Sequence, residues 1–420
     1  MNMKFIIRPA QESDVPELLV LHREILKLEG ISHLISDGEL KSWYSKESLP
    51  RHMLLLVNNK IISHIEVIER HFSYDGIVLK CGELSSVHTH PSYRGKGYGL
   101  ILLYDVYKYM KKNKMTFSMV NSGVKHFYQS GGYELFPLVV YPAYLKELTN
   151  KVNKINPDFN FCKILPYDKK YHGELIYEFY KRTNILIPLE KKFSKSYWQN
   201  LKSDEDKNYF FWIVKKGGDI VGFLGTEPFP YYADDLLRVD ILTESPEENY
   251  VLGLLLKFIE KFKDTKFSRI VISINEGKDR SKKIENFLRL QPIFQSSIMF
   301  KIIDFDGLIK QIIPAWSEKI KRSKLSFHGR IEIECLGRKV RINVGDGKIA
   351  LDKREYNLRE IYLNHLFERE KGPTIYLPLS QSAFLSLLFG VVKPGDLKKE
   401  KFLYLNEEKI SVLQVIFGKN

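Results

Sequence analysis

The chain has 420 residues, 44% hydrophobic and 28% charged, a globular composition with room for about three domains at ~150 residues each. No apolar run reaches the ~18–20 residues of a membrane span, and the first residues lack the long apolar stretch of a secretory signal. Cys81, Cys162 and Cys335 lie far apart, which argues against a disulfide framework or a cysteine-built zinc site and leads us to expect a cytoplasmic setting. The net charge of +14 is spread along the chain and richest in its last third. A nucleic-acid binder concentrates charge on one element, so a lysine-rich solvated surface is expected and no nucleic-acid partner.

Residues 5–8 read as a short strand stopped at Pro9. A helix follows, capped at Ser13 or Asp14, with an apolar face through Leu18, Leu19, Leu21, Ile25 and Leu26. Residues 52–57 and 60–72 read as a hairpin about the Asn58-Asn59 turn. Residues 77–89 form a long strand broken at Pro91, and residues 100–110 have helical spacing. A strand over 115–120 and a short helix over 124–129 follow, the helix ended by Gly131-Gly132. The order recurs weakly further on: a hairpin over 209–214 and 220–226, a strand over 236–242, a helix over 250–262, a strand over 269–274 and a short helix over 284–288. The last part differs. It reads as a helix over 308–316, extendable to 321, a hairpin over 330–336 and 338–344 about Gly337, and a Gly345-Asp346-Gly347 turn. An apolar helix over 379–389 and strands around Phe402 and Val412 complete it. The fold class is therefore α/β (α+β), with units at 1–150, 151–300 and 301–420.

Chemistry concentrates in Val87-His88-Thr89-His90-Pro91-Ser92-Tyr93-Arg94-Gly95-Lys96-Gly97-Tyr98-Gly99-Leu100, where a strand ends, a glycine-rich loop turns and a helix begins. Such a loop points backbone N–H groups at one spot, and the helix N-terminus adds partial positive charge, so a phosphate or pyrophosphate suits it. Glycine is required where the main chain must approach the anion or adopt φ > 0. Arg94 and Lys96 add charge-assisted contacts. The spacing is neither that of a P-loop nor that of a dinucleotide fingerprint. His88 and His90 form a His-x-His pair, but no further ligand is evident in the sequence, so cleft or surface histidines are expected and no metal.

Asn121 closes the next strand, Tyr128 follows seven residues later, and Gly132-Tyr133 four and five residues beyond that. Taken together, Arg94-x-x-Gly97-x-Gly99 and Asn121-x6-Tyr128-x3-Gly132-Tyr133 resemble the GNAT superfamily of acyl-CoA-dependent N-acetyltransferases, and the element order over residues 4–140 matches. The resemblance implies acetyl-CoA as cosubstrate, its pyrophosphate on the loop from Arg94 to Leu100 and its pantetheine arm paired with the backbone of Val87, His88 and Thr89. It implies Tyr128 as the proton donor to the thiolate, against the alternative of a core aromatic with a satisfied hydroxyl. The attacking amine must be neutral although its pKa is near ~10. Glu83, eleven residues before Arg94, falls where some members place a catalytic glutamate; a salt-bridged glutamate is the alternative, and Glu66 is a weaker candidate. Trp43 and Tyr44 fall where the acceptor pocket is built, or in the core.

The middle unit resembles a second, degenerate GNAT unit. The segment Thr243-Glu244-Ser245-Pro246-Glu247-Glu248-Asn249 replaces the loop, with no glycine pair and three acidic residues, so coenzyme A is not expected there. The last ~120 residues resemble a sterol-carrier-protein-like domain in the Gly345-Asp346-Gly347 turn and in residues 377–390. The whole layout is similar to the Eis type of N-acetyltransferases, in which the C-terminal carboxylate acts as the base and chains assemble into homo-oligomers. Here Phe417 is followed by Gly418, Lys419 and Asn420, which departs from the usual aromatic last residue. The acceptor is an amine, on a small molecule or a protein lysine. The alternative is a non-catalytic lipid- or peptide-binding protein in which the GNAT units are scaffolding.

Overall fold

The computed structural model of the chain describes residues 5–417 except 31, 33–34, 76, 137, 153–162, 184–209, 229–234, 244–247, 276–292, 296–297, 324, 326, 346–347, 352–372, 390–391 and 398–406. The first unit runs β1 (Phe5–Pro9), α1 (Val15–Leu28), α2 (Asp37–Ser42), β2 (His52–Val57), β3 (Lys60–Tyr74), β4 (Ile77–Thr89), α3 (Tyr98–Lys112), β5 (Phe117–Asn121), α4 (Lys125–Ser130) and β6 (Glu134–Leu135). The second runs β7 (Leu138–Tyr144), α5 (Leu145–Val152), β8 (Lys163–Pro166), α6 (Lys169–Thr183), β9 (Phe211–Lys216), β10 (Asp219–Pro228), β11 (Leu236–Thr243), α7 (Glu248–Phe262), β12 (Arg269–Asn275), β13 (Ile293–Gln295) and β14 (Ile298–Ile302). The third runs α8 (Phe305–Ser323), β15 (Gly329–Cys335), β16 (Arg338–Gly345), β17 (Lys348–Leu351), β18 (Thr374–Pro378), α9 (Gln381–Leu388), α10 (Pro394–Leu397) and α11 (Glu407–Phe417).

Three sheets result, ordered β1-β2-β3-β4-β5-β14-β6, β13-β7-β12-β11-β10-β9-β8, and β17-β16-β15-β18. One strand crosses between units: β14, the last of the second, inserts between β5 and β6 of the first sheet. β7, which opens the second unit, pairs antiparallel with β12 and β13.

The apolar stripe of α3, Leu102, Leu103, Val106 and Met110, packs on one face of the first sheet with Ile65, Val67 and Leu84. On the other side, α1 buries Leu18, Leu21 and Ile25 against Leu54 and Leu56. A shared core joins β3–β5 to the third unit, from Phe72, Cys81 and Phe117 to Trp316, Phe384 and Phe417. These packed stripes are the 3.6-residue periodicity of the sequence made physical.

One expectation is overturned. Val412 lies not in a strand but in α11, where Val412, Leu413, Ile416 and Phe417 are buried and Ser411 and Gln414 exposed. That is helical spacing, and the face packs on α8, with the Trp316 and Phe417 rings 5.2 Å apart. A short apolar run does not by itself distinguish the two periods. Phe402, the Asp346-Gly347 part of its turn, the helix over 284–288 and Glu244–Glu247 of the acidic segment lie outside the described residues.

Candidate active site

β4 ends at Thr89, and the chain turns through a short 3-10 segment (Pro91–Tyr93) into α3. Gly95 and Gly97 adopt φ of +75° and +81°, the left-handed region closed to most side chains. Gly97 caps α3, whose first-turn amides have no intrahelical acceptor. Arg94, Gly95, Lys96 and Gly97 are exposed, while Tyr98 and Gly99 are buried and Leu100 half-buried. Arg94 Nε donates to the Thr89 carbonyl at 3.1 Å, and Lys96 Nζ to the Ser92 carbonyl at 3.2 Å. Both cations are thus held against carbonyls of the segment that leads into the glycine turn. A Cβ on Gly99 would meet the Phe127 ring at 3.0 Å and Thr89 Oγ1 at 3.2 Å, so this glycine lets α3 start close against α4 and β4.

Beside this turn the sheet opens. β4 and β5 pair in parallel only at Cys81↔Phe117, Gly82↔Ser118 and Glu83↔Met119. Beyond Glu83, β4 keeps its partner β3 but not β5. The β3–β4 register shifts between His64 and Glu66, and Ser86 takes φ +47°, which marks a bulge that bends β4 away. Val87, His88 and Thr89 lie on this diverging stretch. In the second unit the corresponding parallel pair stays closed: β11 and β12 pair at every position from Leu236↔Arg269 to Leu242↔Asn275.

Tyr128, on α4, is 5% exposed, with the Phe127 and Tyr133 rings at 5.0 and 5.8 Å. Burial pushes its phenol up to about 12, against a hydrogen bond with Ser122 that lowers it, so the hydroxyl keeps its proton at neutral pH. Asn121 is exposed at the end of β5, facing Ile298 across the sheet. Glu83 is held in an ion pair with Arg70 Nε at 2.5 Å. Glu66 pairs with Arg51 at 2.8 Å; burial raises its proton affinity and Arg51 offsets this. The structure therefore gathers the Arg94–Leu100 loop, the Val87–Thr89 stretch and α4 at one end of the first sheet. It places Glu83 further down β4. Asn420 lies outside the described residues.

Sequence reasoning missed a second constellation beside this one. His22 of α1, His52 of β2, His64 of β3 and His88 of β4 converge. The His22 and His88 rings meet edge-to-face at 4.4 Å, His22 and His64 at 5.2 Å, and His52 stacks on His64 at 5.2 Å. Tyr44 Oη lies 2.6 Å from His22 Nδ1, which makes Tyr44 part of this buried cluster. Burial first, then the neighbouring histidines, push His22 down to about 3. Burial likewise pushes His52 and His88 to about 4 and His64 well below the usual range, so the rings are neutral. His90, in contrast, accepts the Ser92 N–H on Nδ1 at 3.3 Å. The available signal was a histidine in each of α1, β2, β3 and β4.

The first unit thus combines a splayed parallel strand pair, a glycine-capped helix beside it and a buried phenol on the next helix. Residues 6–136 match the family model of the acetyltransferase (GNAT) domain. Residues 6–136 thus carry a GNAT acetyltransferase domain, which makes the chain an acyltransferase, a class that uses an acyl-CoA cosubstrate and amine acceptors. Solved structures share the fold over nearly the whole chain. A GCN5-related N-acetyltransferase from Anabaena variabilis is 14% identical, covering 99% of this chain and 98% of that one at a TM-score of 0.64. A conserved Enterococcus faecalis protein described as a probable N-acyltransferase is 11% identical, covering 99% and 96% at 0.66. Eis1 from Mycobacterium abscessus is 12% identical, covering 99% and 98% at 0.56. No curated protein matches the sequence. Among the described residues, no helix is long and apolar enough to cross a membrane.

Proposed function

We propose that the chain is an acetyl-CoA-dependent N-acetyltransferase that moves the acetyl group to a primary amine by direct attack, without an acyl-enzyme. The observation that carries this reading is the parting of β4 from β5 after Glu83 beside the glycine turn. The parted edge of β4 offers unpaired backbone groups, which suit the amides of a pantetheine arm added like a strand. The first-turn amides of α3, with Arg94 and Lys96, suit the pyrophosphate. The amides of Val87–Thr89 then lie where the tetrahedral oxyanion develops.

As the C–S bond breaks, the thiolate takes a proton, for which Tyr128 is the candidate donor. The amine must lose a proton to attack, and Glu83 is the candidate base, directly or through water. It pairs with Arg70 Nε at 2.5 Å. Asn420, through its terminal carboxylate, is a second candidate. The closed β11–β12 pair supports a second unit that does not bind coenzyme A, and the third unit is read as a sterol-carrier-like buttress. The scarce, separated cysteines suit the reducing cytoplasm, and assembly into a homo-oligomer fits the Eis-type layout.

Calorimetric titration with coenzyme A should show one site per chain. A panel of polyamines, aminoglycosides and lysine peptides with acetyl-CoA should give a 42-Da mass gain on at least one amine. Absence of coenzyme A binding defeats the reading. Binding without transfer to any amine favours the scaffold alternative.

A further inference from the structure

We propose that His22, His64 and His88 form a binding site for one divalent transition-metal cation of the zinc class. One nitrogen from each ring lies within 4.8 Å of the other two. Each ring also has a buried nitrogen without a hydrogen-bond partner: His22 Nε2, His64 Nδ1 and His88 Nδ1.

The hydrogen bonds around the cluster determine what at least one of these nitrogens presents. His52 Nε2 lies 3.2 Å from the Trp43 carbonyl, and a carbonyl can only accept, so the His52 proton is on Nε2. His52 Nδ1 is then a lone pair, and it accepts from His64 Nε2 at 3.0 Å. With its single proton on Nε2, neutral His64 is left with a bare lone pair on Nδ1, in a residue with 0% exposure. The Ser86 backbone raises the proton affinity of the same ring. His22 has Tyr44 Oη at 2.6 Å from Nδ1, so Nδ1–H can donate to that oxygen and leave Nε2 bare as well. His88 faces His64 directly in the β3–β4 register. A buried lone pair without a donor is costly, and a cation shared by three of them satisfies all three.

Three imidazole nitrogens select zinc, cobalt, nickel or copper over calcium and magnesium, which prefer oxygen. Zinc–nitrogen bonds of about 2.0–2.1 Å in a tetrahedral shell put the donors ~3.4 Å apart, within reach of small ring rotations. The outer hydrogen bonds that metal-bound histidines use are already present: His22 to Tyr44, and His64 to His52 and on to Trp43. Three protein donors leave a fourth position for water. The bound ion ties α1 to the β3–β4 ribbon at the end of the sheet where β4 diverges. His90 takes no part, and the three ligands come from three different elements, α1, β3 and β4.

The test uses the full chain, stripped with a chelator and titrated with cobalt(II) and then zinc(II). The expected result is one equivalent of cobalt per chain with the intense visible bands of a tetrahedral site, displaced by zinc. Elemental analysis after gel filtration should give one zinc, and the metal should raise Tm. His22→Gln and His88→Gln should each lower cobalt affinity at least tenfold, while His90→Gln retains it. Circular dichroism of the metal-free forms identifies the variants that are folded. His88, half-buried on a strand, provides the second variant if His22→Gln does not fold. No stoichiometric uptake by the folded wild type overturns the proposal and leaves a water-filled pocket. Undiminished uptake by either folded variant overturns it too.

Discussion

Tyr128 joins a buried ring to the hydroxyl that the proposed mechanism uses as an acid. Its burial pushes the phenol up to about 12, so the acid form persists across the working range. Ionisation of Tyr128 removes the donor, so its loss of kcat belongs above about pH 10 and not in the neutral range. Tyr128→Phe should lower kcat by roughly 10²–10⁴-fold while leaving the KM for acetyl-CoA within a few-fold. Steady-state kinetics with both substrates varied checks this, and parallel losses in kcat and cofactor affinity would argue for packing alone. Tyr128 and the glycine loop were legible because each sits in a short contiguous motif. The histidine cluster was not, because its members come from α1, β2, β3 and β4 and only folding aligns them.

At the scale of elements, the β4–loop–α3 junction depends on backbone conformation more than on side chains. Gly97 sits at φ +81° with open space where a Cβ would go. Gly97→Ala therefore meets no clash and bears only the left-handed strain, about 1 kcal/mol. It should weaken coenzyme A binding several-fold in a calorimetric titration while Tm changes little. In the third unit, Glu332 is 3% exposed and bonded to Arg341 at 2.8 Å, with Arg330 at 3.9 Å. Glu332→Leu removes the carboxylate that two buried guanidinium groups face and should cost about 3–5 kcal/mol, read from urea unfolding. Strands and helices here were mostly legible from period. The bulge at Ser86 was not, since a serine between Ser85 and Val87 carries no turn signal, and the +47° φ arises from how β4 is held by β3. α11 was misread because Val412 and its neighbours reveal their period only against α8.

Across the whole molecule, the units are interlocked. β14 supplies both neighbours with pairs, five to β5 and two to β6. A fragment ending at residue 136 leaves the β5 edge bare and strips Met299 and Phe300 from the two cores that hold them. It should aggregate or be molten by size exclusion and near-UV circular dichroism; a folded monomeric fragment would contradict the interlock. Gln381 ties the units further, donating to the Gly132 carbonyl at 2.6 Å and accepting from Ile302 N–H at 3.0 Å. Gln381→Ala orphans both groups and should cost roughly 1–3 kcal/mol in urea unfolding.

The residues alone determined the α/β class, the glycine-rich turn and the phenol that follows it, because each depends on local spacing and on the special freedom of glycine. Tertiary structure decided how far β4 parts from β5, which sheet receives β7 and β14, and that four histidines share one pocket. Those outcomes depend on pairing between segments distant in the chain, where register and burial, not local preference, set the energy.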